Sequence, residues 1–320
     1  MTTDQKYYIF LDEVQNVLEF PRIIDSLFID KNIDLYVTGS NAFMLSTELA
    51  TLLSGRYIEL HILPLSFREF VGYYKFENNL DLAYQKYISN SSFPFTIELN
   101  EDSKSIKEYI KSVYNTVILK DVMTRKKISN PLILESLVLF LLDNIGNIVS
   151  TNKISDSLTS YGRKTDVKTI EKYIDSLCES FILYKIKRYD VKGKRCLKTL
   201  EKYYLVDLGL RYNILSKASP DYGRELENFV FLELKQRGYE VSVGKADDYE
   251  IDFIVEKTDG VEYFQVVATT REKKVIDREL RSLKTIPDSY PKTILTLDRE
   301  PVRDYEGIKV INALDWANED

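Results

Sequence analysis

Tyr7-Tyr8-Ile9-Phe10-Leu11-Asp12-Glu13 is the most specific stretch of the sequence. Its apolar and aromatic residues run without a polar interruption, the pattern of a parallel strand covered on both faces. The strand ends in two adjacent carboxylates, which places negative charge at the C-terminal edge of a sheet, where α/β proteins bind their ligands. In a nucleotide hydrolase the first of them, Asp12, would hold the magnesium shell and the second, Glu13, would polarise the attacking water. An ordinary strand followed by a solvated acidic turn fits the same seven residues, and on this motif alone both readings are open.

Working outward, a second apolar run, Asp34-Leu35-Tyr36-Val37-Thr38, predicts another buried strand. Pro64 ends an extended stretch, and Ser66-Phe67-Arg68-Glu69 has the spacing of a capping box that opens a helix. Residues 1–75 therefore read as alternating strands and helices. Residues 76–215 read as mostly helical: Ile106, Ile110, Val113 and Val117 keep a helical period, Leu132 to Leu142 is apolar throughout, and Val167, Ile170, Ile174 and Leu177 form an inward stripe. Two strands follow, Ile182 to Tyr189 and Lys202 to Val206, joined around Gly193. Helices followed by a hairpin suggest a winged helix. A boundary near Ser219-Pro220 precedes a third block, 216–320, in which a helix (Leu226 to Arg237), strands near Glu250 to Glu256 and Tyr263 to Ala268, a helix around Asp277 to Lys284, and short strands at Ile294 to Leu297 and Ile308 to Ile311 give an α/β pattern.

The 320 residues are 44% hydrophobic and 29% charged, an ordinary globular balance that argues against disorder. Their formal net charge of −6 means that attraction to nucleic acid would need a local basic patch. Cys178 and Cys196 lack metal-type spacing and do not make a disulfide framework, so a reducing cytosol is the expected compartment. No apolar run approaches the roughly 18 residues that a membrane helix requires, and the polar Met1 to Lys6 segment lacks a signal peptide's apolar core.

The motifs after the acidic strand fall in a telling order: Val14-Gln15-Asn16-Val17, then Thr38-Gly39-Ser40-Asn41, Leu53-Ser54-Gly55-Arg56 and Pro64-Leu65-Ser66-Phe67-Arg68-Glu69-Phe70. Further on come Lys202-Tyr203-Tyr204-Leu205-Val206-Asp207-Leu208-Gly209-Leu210, Gly223-Arg224-Glu225-Leu226-Glu227-Asn228 and Pro291-Lys292-Thr293-Ile294-Leu295-Thr296-Leu297-Asp298. Over nearly its whole length the chain resembles prokaryotic AAA-type ATPases that carry a C-terminal domain of unknown function ending in a restriction-endonuclease-like fold. The resemblance implies an α/β fold class: a partial P-loop ATPase sheet, then a helical winged-helix region, then a restriction-endonuclease-like α/β domain. It implies ATP and Mg as cofactors, with Asp12 holding magnesium through water and Glu13 activating the nucleophile. Ser40 or Asn41 would be the sensor of the γ-phosphate, although turn chemistry after Gly39 fits both residues. Arg56 would be an arginine finger acting on a neighbouring subunit of a homo-oligomer, or an exposed loop arginine.

One departure outweighs these matches. A phosphate loop, Gly-x-x-x-x-Gly-Lys-Ser/Thr, cradles phosphates with backbone amides and one lysine. The two Gly-Lys pairs here, Gly193-Lys194 and Gly244-Lys245, have Arg188 and Tyr239 where the first glycine should be, and neither is followed by Ser or Thr. The resemblance therefore implies an N-terminally shortened ATPase, from a split gene or a late start codon, that does not hold ATP tightly or hydrolyse it alone. An upstream polypeptide would supply the loop. It also implies that a central strand between the acidic and sensor strands is missing.

Two other features carry chemistry. Between Lys185 and Lys202 lie eight basic residues, among them Lys185, Lys187, Lys192, Lys194 and Arg195, against Asp190 and Glu201 alone. A basic hairpin beside a helix can grip a DNA backbone, or it can simply keep an exposed edge soluble. In the third block, Glu227, Asp252 and Gln265 match the nuclease-like core. Gln265 stands where a second carboxylate belongs and Val267 where a lysine belongs, so the resemblance implies a retained fold with lost chemistry; any residual metal-dependent cleavage would run through Glu227, Glu250 and Asp252. A non-enzymatic nucleic-acid-binding or interaction module is the rival to the ATPase. The single histidine, His61, lies among Leu60, Ile62 and Leu63 and reads as a packed or partly exposed strand residue rather than a catalytic base.

Overall fold

The two N-terminal apolar runs form strands β1 (Tyr7–Leu11) and β2 (Ile33–Val37), paired in parallel from Tyr7 opposite Ile33 to Leu11 opposite Val37. The computed structural model describes residues 5–14, 17–39, 56–116, 122–123, 128, 130–193, 195–215, 221–258 and 260–319. Helix α1 (Phe20–Phe28), with Pro21 in its first turn, crosses over between the strands. Its Phe20 and Ile24 join Val14, Leu11, Leu35 and Val37 in a small core of their own. Two expectations are corrected here. The strands are direct neighbours, so no central strand is missing between them. They are also not covered on both faces by described residues: Tyr8 is 58% and Phe10 72% exposed, with Phe10 stacked on Tyr36 at 4.9 Å.

Helix α2 (Phe67–Tyr74) opens with the capping box that the sequence predicts: Glu69 N–H donates to Ser66 Oγ at 3.2 Å, and Ser66 N–H donates to Glu69 Oε2 at 2.8 Å. Helices α3 (Leu80–Asn90) and α4 (Ser103–Val113) follow. Helix α5 (Pro131–Asp143) starts where Pro131 removes an N–H that would lack a partner and Asn130 accepts from Ile133 N–H. Its Leu134, Leu137, Val138 and Leu141 are buried, as an all-apolar helix requires. The chain continues through β3 (Ile148–Val149), α6 (Thr151–Ser160), α7 (Val167–Glu179) and the hairpin of β4 (Leu183–Asp190) and β5 (Arg195–Leu205).

After the short α8 (Leu208–Ile214) comes α9 (Tyr222–Gln236), followed by β6 (Glu240–Ala246), β7 (Tyr249–Lys257), β8 (Gly260–Val267), α10 (Lys273–Lys284), β9 (Lys292–Thr296), β10 (Arg303–Tyr305), β11 (Ile308–Asn312) and α11 (Ala313–Asn318). One nine-stranded sheet, in the order β10-β11-β9-β8-β7-β6-β4-β5-β3, takes in every strand after β2. The β4–β5 hairpin, read from the sequence as the wing of a winged helix, is built into this sheet. Its β4 pairs in parallel with β6, placing Arg188 opposite Val243 and Asp190 opposite Lys245. Strand β6 was not foreseen; it continues the sheet across the division expected near residue 216.

Helix α9 sits where helices and sheet meet. Phe229 takes Phe67 and Tyr84 edge-on at 5.2 and 5.1 Å, and Phe231 stacks on Tyr204 of β5 at 4.6 Å. Each buried aromatic removes a large apolar area from water, which fixes the helix against the sheet. Among the described residues no helix is long and apolar enough to cross a membrane.

Candidate functional site

At the C-terminal edge of the small sheet, Asp12 Oδ1 accepts a short hydrogen bond from the Thr38 hydroxyl. Thr38 Oγ1 in turn accepts from Glu13 N–H at 3.2 Å, and Thr38 N–H donates to Leu11 O at 2.8 Å. Glu13 has φ of +50°, a left-handed backbone that turns the chain away directly after the strand. The two parallel strand ends thus meet through Asp12 and Thr38. Thr38 was read only as a strand terminus; its partnership with Asp12 comes from pairing across 26 residues, which local sequence does not show. Arg56 lies against α1, 3.6 Å from Asp25 Oδ1 and over the Phe28 ring at 5.0 Å. Ser40 and Asn41 lie outside the described residues, as does Lys194 of the hairpin.

A second constellation lies at the larger sheet. Glu227 comes from α9, Glu250 and Asp252 from one face of β7, and Gln265 from β8. Between them sits Lys202, whose side chain is only 3% exposed: its Nζ is 2.7 Å from Glu227 Oε1, 2.5 Å from Glu250 Oε1 and 3.8 Å from Asp252 Oδ1. The Tyr204 hydroxyl donates to the same Glu227 oxygen at 2.5 Å. Lys202 was counted among the basic residues of the hairpin; the structure moves it out of that patch and into the acidic cleft. Adjacent strand residues face opposite ways, so Lys202 and Tyr204, two apart on β5, share one face. Gly146, at φ +69°, leaves room for Glu227, whose carboxylate would lie 3.3 to 3.4 Å from any Cβ there.

Burial, with the Glu227 charge next, pushes the Asp252 carboxyl well above the usual range against the pull of Lys202. Burial also disfavours the Lys202 ammonium, but Glu227, Asp252 and Glu250 together hold it above its ordinary value. Gln265 spends both ends of its amide on the β7 backbone, accepting from Asp252 N–H at 3.2 Å and donating to Glu250 O at 3.4 Å. The cleft above these groups has a volume of about 620 Å³ and is walled by Arg224, Val266, Thr269 and Arg278. Among the described residues no group of three or more His, Cys, Asp or Glu side chains has a geometry that could hold a metal ion.

The remaining hairpin cations are mostly engaged. Lys185 pairs with Glu201 at 2.8 Å, Lys192 with Asp247, and Arg195 lies 3.9 Å from Asp190. Arg188 is buried and Lys187 is exposed. His61 is exposed, beside Glu59 Oε1 at 3.1 Å.

Comparison with known proteins matches two stretches of the chain. Residues 1–71 match the AAA domain family, and residues 81–221 match a domain of unknown function (DUF8612). An uncharacterized protein of Haemophilus influenzae is 40% identical over 318 residues, covering 98% of this chain and 78% of its own length. The uncharacterized protein MJ1544 of Methanocaldococcus jannaschii is 28% identical over 314 residues, covering 91% of this chain and 69% of its own length.

Proposed function

Because the chain belongs to the same family as the Haemophilus protein, with an AAA domain followed by DUF8612, we propose that its N-terminal sheet is the acidic half of a nucleotide site. The observation that carries this reading is the Asp12–Thr38 hydrogen bond at the C-terminal edge of two parallel strands, with Glu13 next in the chain. Bound Mg-ATP would supply the phosphoanhydride. In this reading Asp12 and Thr38 would hold magnesium's water shell, and Glu13 would orient a water. These groups suit a hard cation and its waters. The sequence contains no Gly-x-x-x-x-Gly-Lys-Ser/Thr run, so in this reading the phosphates are held by a loop supplied from elsewhere. The Tyr8, Phe10 and Tyr36 face, exposed among the described residues, supports the same reading, since an isolated two-stranded sheet is marginal and needs further cover. In an oligomer, Arg56 would exchange Asp25 for a neighbour's nucleotide.

The order α5, β3, α6, α7, β4, β5 is that of a winged helix, here used as a structural joint within the large sheet. The tail is a restriction-endonuclease-like unit in which the Gln265 amide, standing where a second carboxylate belongs, serves the β7 backbone.

The test is nucleotide binding and turnover. The 320-residue chain should show no saturable Mg-ATP binding up to about 1 mM, a level weaker than about 4 kcal/mol of binding free energy. Joined to, or mixed with, a polypeptide encoded upstream that carries a phosphate loop, it should turn over ATP. Glu13→Gln should then lower turnover by about 10² or more with little change in binding. Turnover by the 320 residues alone, or an unchanged rate in the Glu13→Gln complex, would overturn the reading.

A further inference from the structure

Three clustered carboxylates, Asp252 and Glu227 nearly out of water and Glu250 at the cleft's more open side, are stabilised by a cation among them, and in the cleft of α9, β7 and β8 that cation is a side chain. Lys202 Nζ makes its two short contacts to Glu227 and Glu250 and faces Asp252. One oxygen of each carboxylate is already engaged by a donor of the protein itself. Glu227 Oε1 takes both Lys202 Nζ and the Tyr204 hydroxyl, and Asp252 Oδ2 accepts from Val266 N–H at 2.8 Å. The lysine and its acids come from different regions: Lys202 lies within the DUF8612 match, on β5, whereas Glu227, Glu250 and Asp252 follow it.

We propose that Lys202 is the resident cation of this cleft, its ammonium standing where a divalent ion would bridge Glu227, Glu250 and Asp252, so that the cleft is closed to metal by the protein's own side chain. The ammonium is a better permanent occupant than an ion in one respect: it is tethered, so no concentration of free metal is needed to hold the three acids together. It also fixes β5 to α9 and β7. Exchange for a metal would require carboxylate oxygens to close to about 2.0–2.6 Å around the ion. That motion is open to the flexible glutamates only once the lysine stem is gone.

Mn²⁺ is the probe, followed by electron paramagnetic resonance and by thermal unfolding of the full chain. The unchanged protein should show no saturable Mn²⁺ site at the cleft. Lys202→Ala should acquire one site, bound at least about tenfold more tightly than anything in the parent, and its melting temperature should rise with Mn²⁺ while the parent's does not. Adding Asp252→Asn to Lys202→Ala should abolish the gain. If Lys202→Ala does not fold in metal-free buffer, recovery of folded protein on refolding in millimolar Mn²⁺ supports the proposal, and failure to recover overturns it. Lys202→Arg, which keeps the charge, should fold and stay metal-free. Mn²⁺ binding by the unchanged protein that Asp252→Asn removes would overturn the proposal independently of any lysine variant, because the lysine would then be a metal's companion and not its substitute. So would a folded Lys202→Ala with no gain in binding.

Discussion

Replacing Asp207 by alanine should destabilise the protein by about 4 kcal/mol or more, measured by urea unfolding. The estimate rests on three donors that lose a charged acceptor in a dry site. Asp207 is buried, and its carboxylate accepts from Ser92 N–H at 2.7 Å, from the Ser92 hydroxyl at 2.6 Å and from Leu210 N–H at 3.0 Å. The last of these caps α8; the first two tie α8 to the turn that follows α3. Ser91 in that turn has φ of +74°, a conformation that a non-glycine residue keeps only when its surroundings hold it. The approach is close as well as polar, since a Cβ on Gly209 would fall 2.5 Å from Ser91 Cα. Gly209→Ala should therefore add a separate cost of about 1–3 kcal/mol through overpacking against backbone. Domains are stable by only about 5–15 kcal/mol, so either loss is a large share. An Asp207→Ala protein within about 1 kcal/mol of the parent would show that water or a local shift replaces all three bonds, and the argument would fail.

The same motif marks where the sequence can be read and where it cannot. Lys202 to Val206 is recognisable as a strand from its apolar run, and Asp207 before Leu208-Gly209-Leu210 has the chemistry of a helix cap. The destination of Lys202 is not recognisable. A lysine on a hairpin reads as solvated by default, and the acids that bury this one lie 25 to 50 residues further along the chain, brought near by sheet pairing. Strand β6 escaped for a related reason. Glu240-Val241-Ser242-Val243 alternates over only four residues, and Gly244-Lys245 invites a phosphate-loop reading. Gly244 is instead required by packing, because a Cβ there would sit 2.7 Å from Ile251 Cβ.

In the small sheet the errors run the other way. A continuous apolar run is consistent with a strand covered on both faces, but composition does not name what covers it. Tyr8 and Phe10 point away from α1, and no described element packs over them. The acidic pair itself was legible because its chemistry is written in adjacent residues. Its hydrogen-bonded partner Thr38 was not, since that contact exists only once β1 and β2 lie side by side.

Between pH 5 and 8 the protein should become less stable as pH rises, through one buried carboxyl, and Glu233→Gln should remove that part of the slope. The capping box at Ser66 leaves the N–H of Phe67 without a partner inside α2. Glu233 of α9 supplies one: its Oε1 accepts from Phe67 N–H at 2.9 Å while the side chain is buried. Burial raises the Glu233 carboxyl to about 7; the Phe67 N–H and Arg237 pull it down, and Glu69 adds a small push upward. A raised folded-state value means that the folded protein holds this proton where the unfolded chain, near 4.5, has released it. Folded protein is therefore favoured at acidic pH, loses that advantage as pH rises from about 4.5 through about 7, and levels off above. The difference corresponds to about 3 kcal/mol across the window. Glutamine keeps an oxygen for Phe67 N–H and carries no charge, so Glu233→Gln should match the parent near pH 4.5 and exceed it by up to about 3 kcal/mol at pH 8. The quantity to measure is the difference between the two urea-unfolding free energies at each pH, which cancels the titrations common to both proteins. A difference that stays constant from pH 5 to 8 would mean that Glu233 ionises freely in the folded state. The location gives the effect its interest. Gln236, one turn along α9, donates to Pro64 O at 2.5 Å, so the end of the AAA match is held by the same helix that carries Glu227 into the cleft. Ionisation of Glu233 near neutral pH would strengthen the Phe67 N–H bond but leave a charge buried between α9 and α2, so the contact of the two helices as a whole would lose stability.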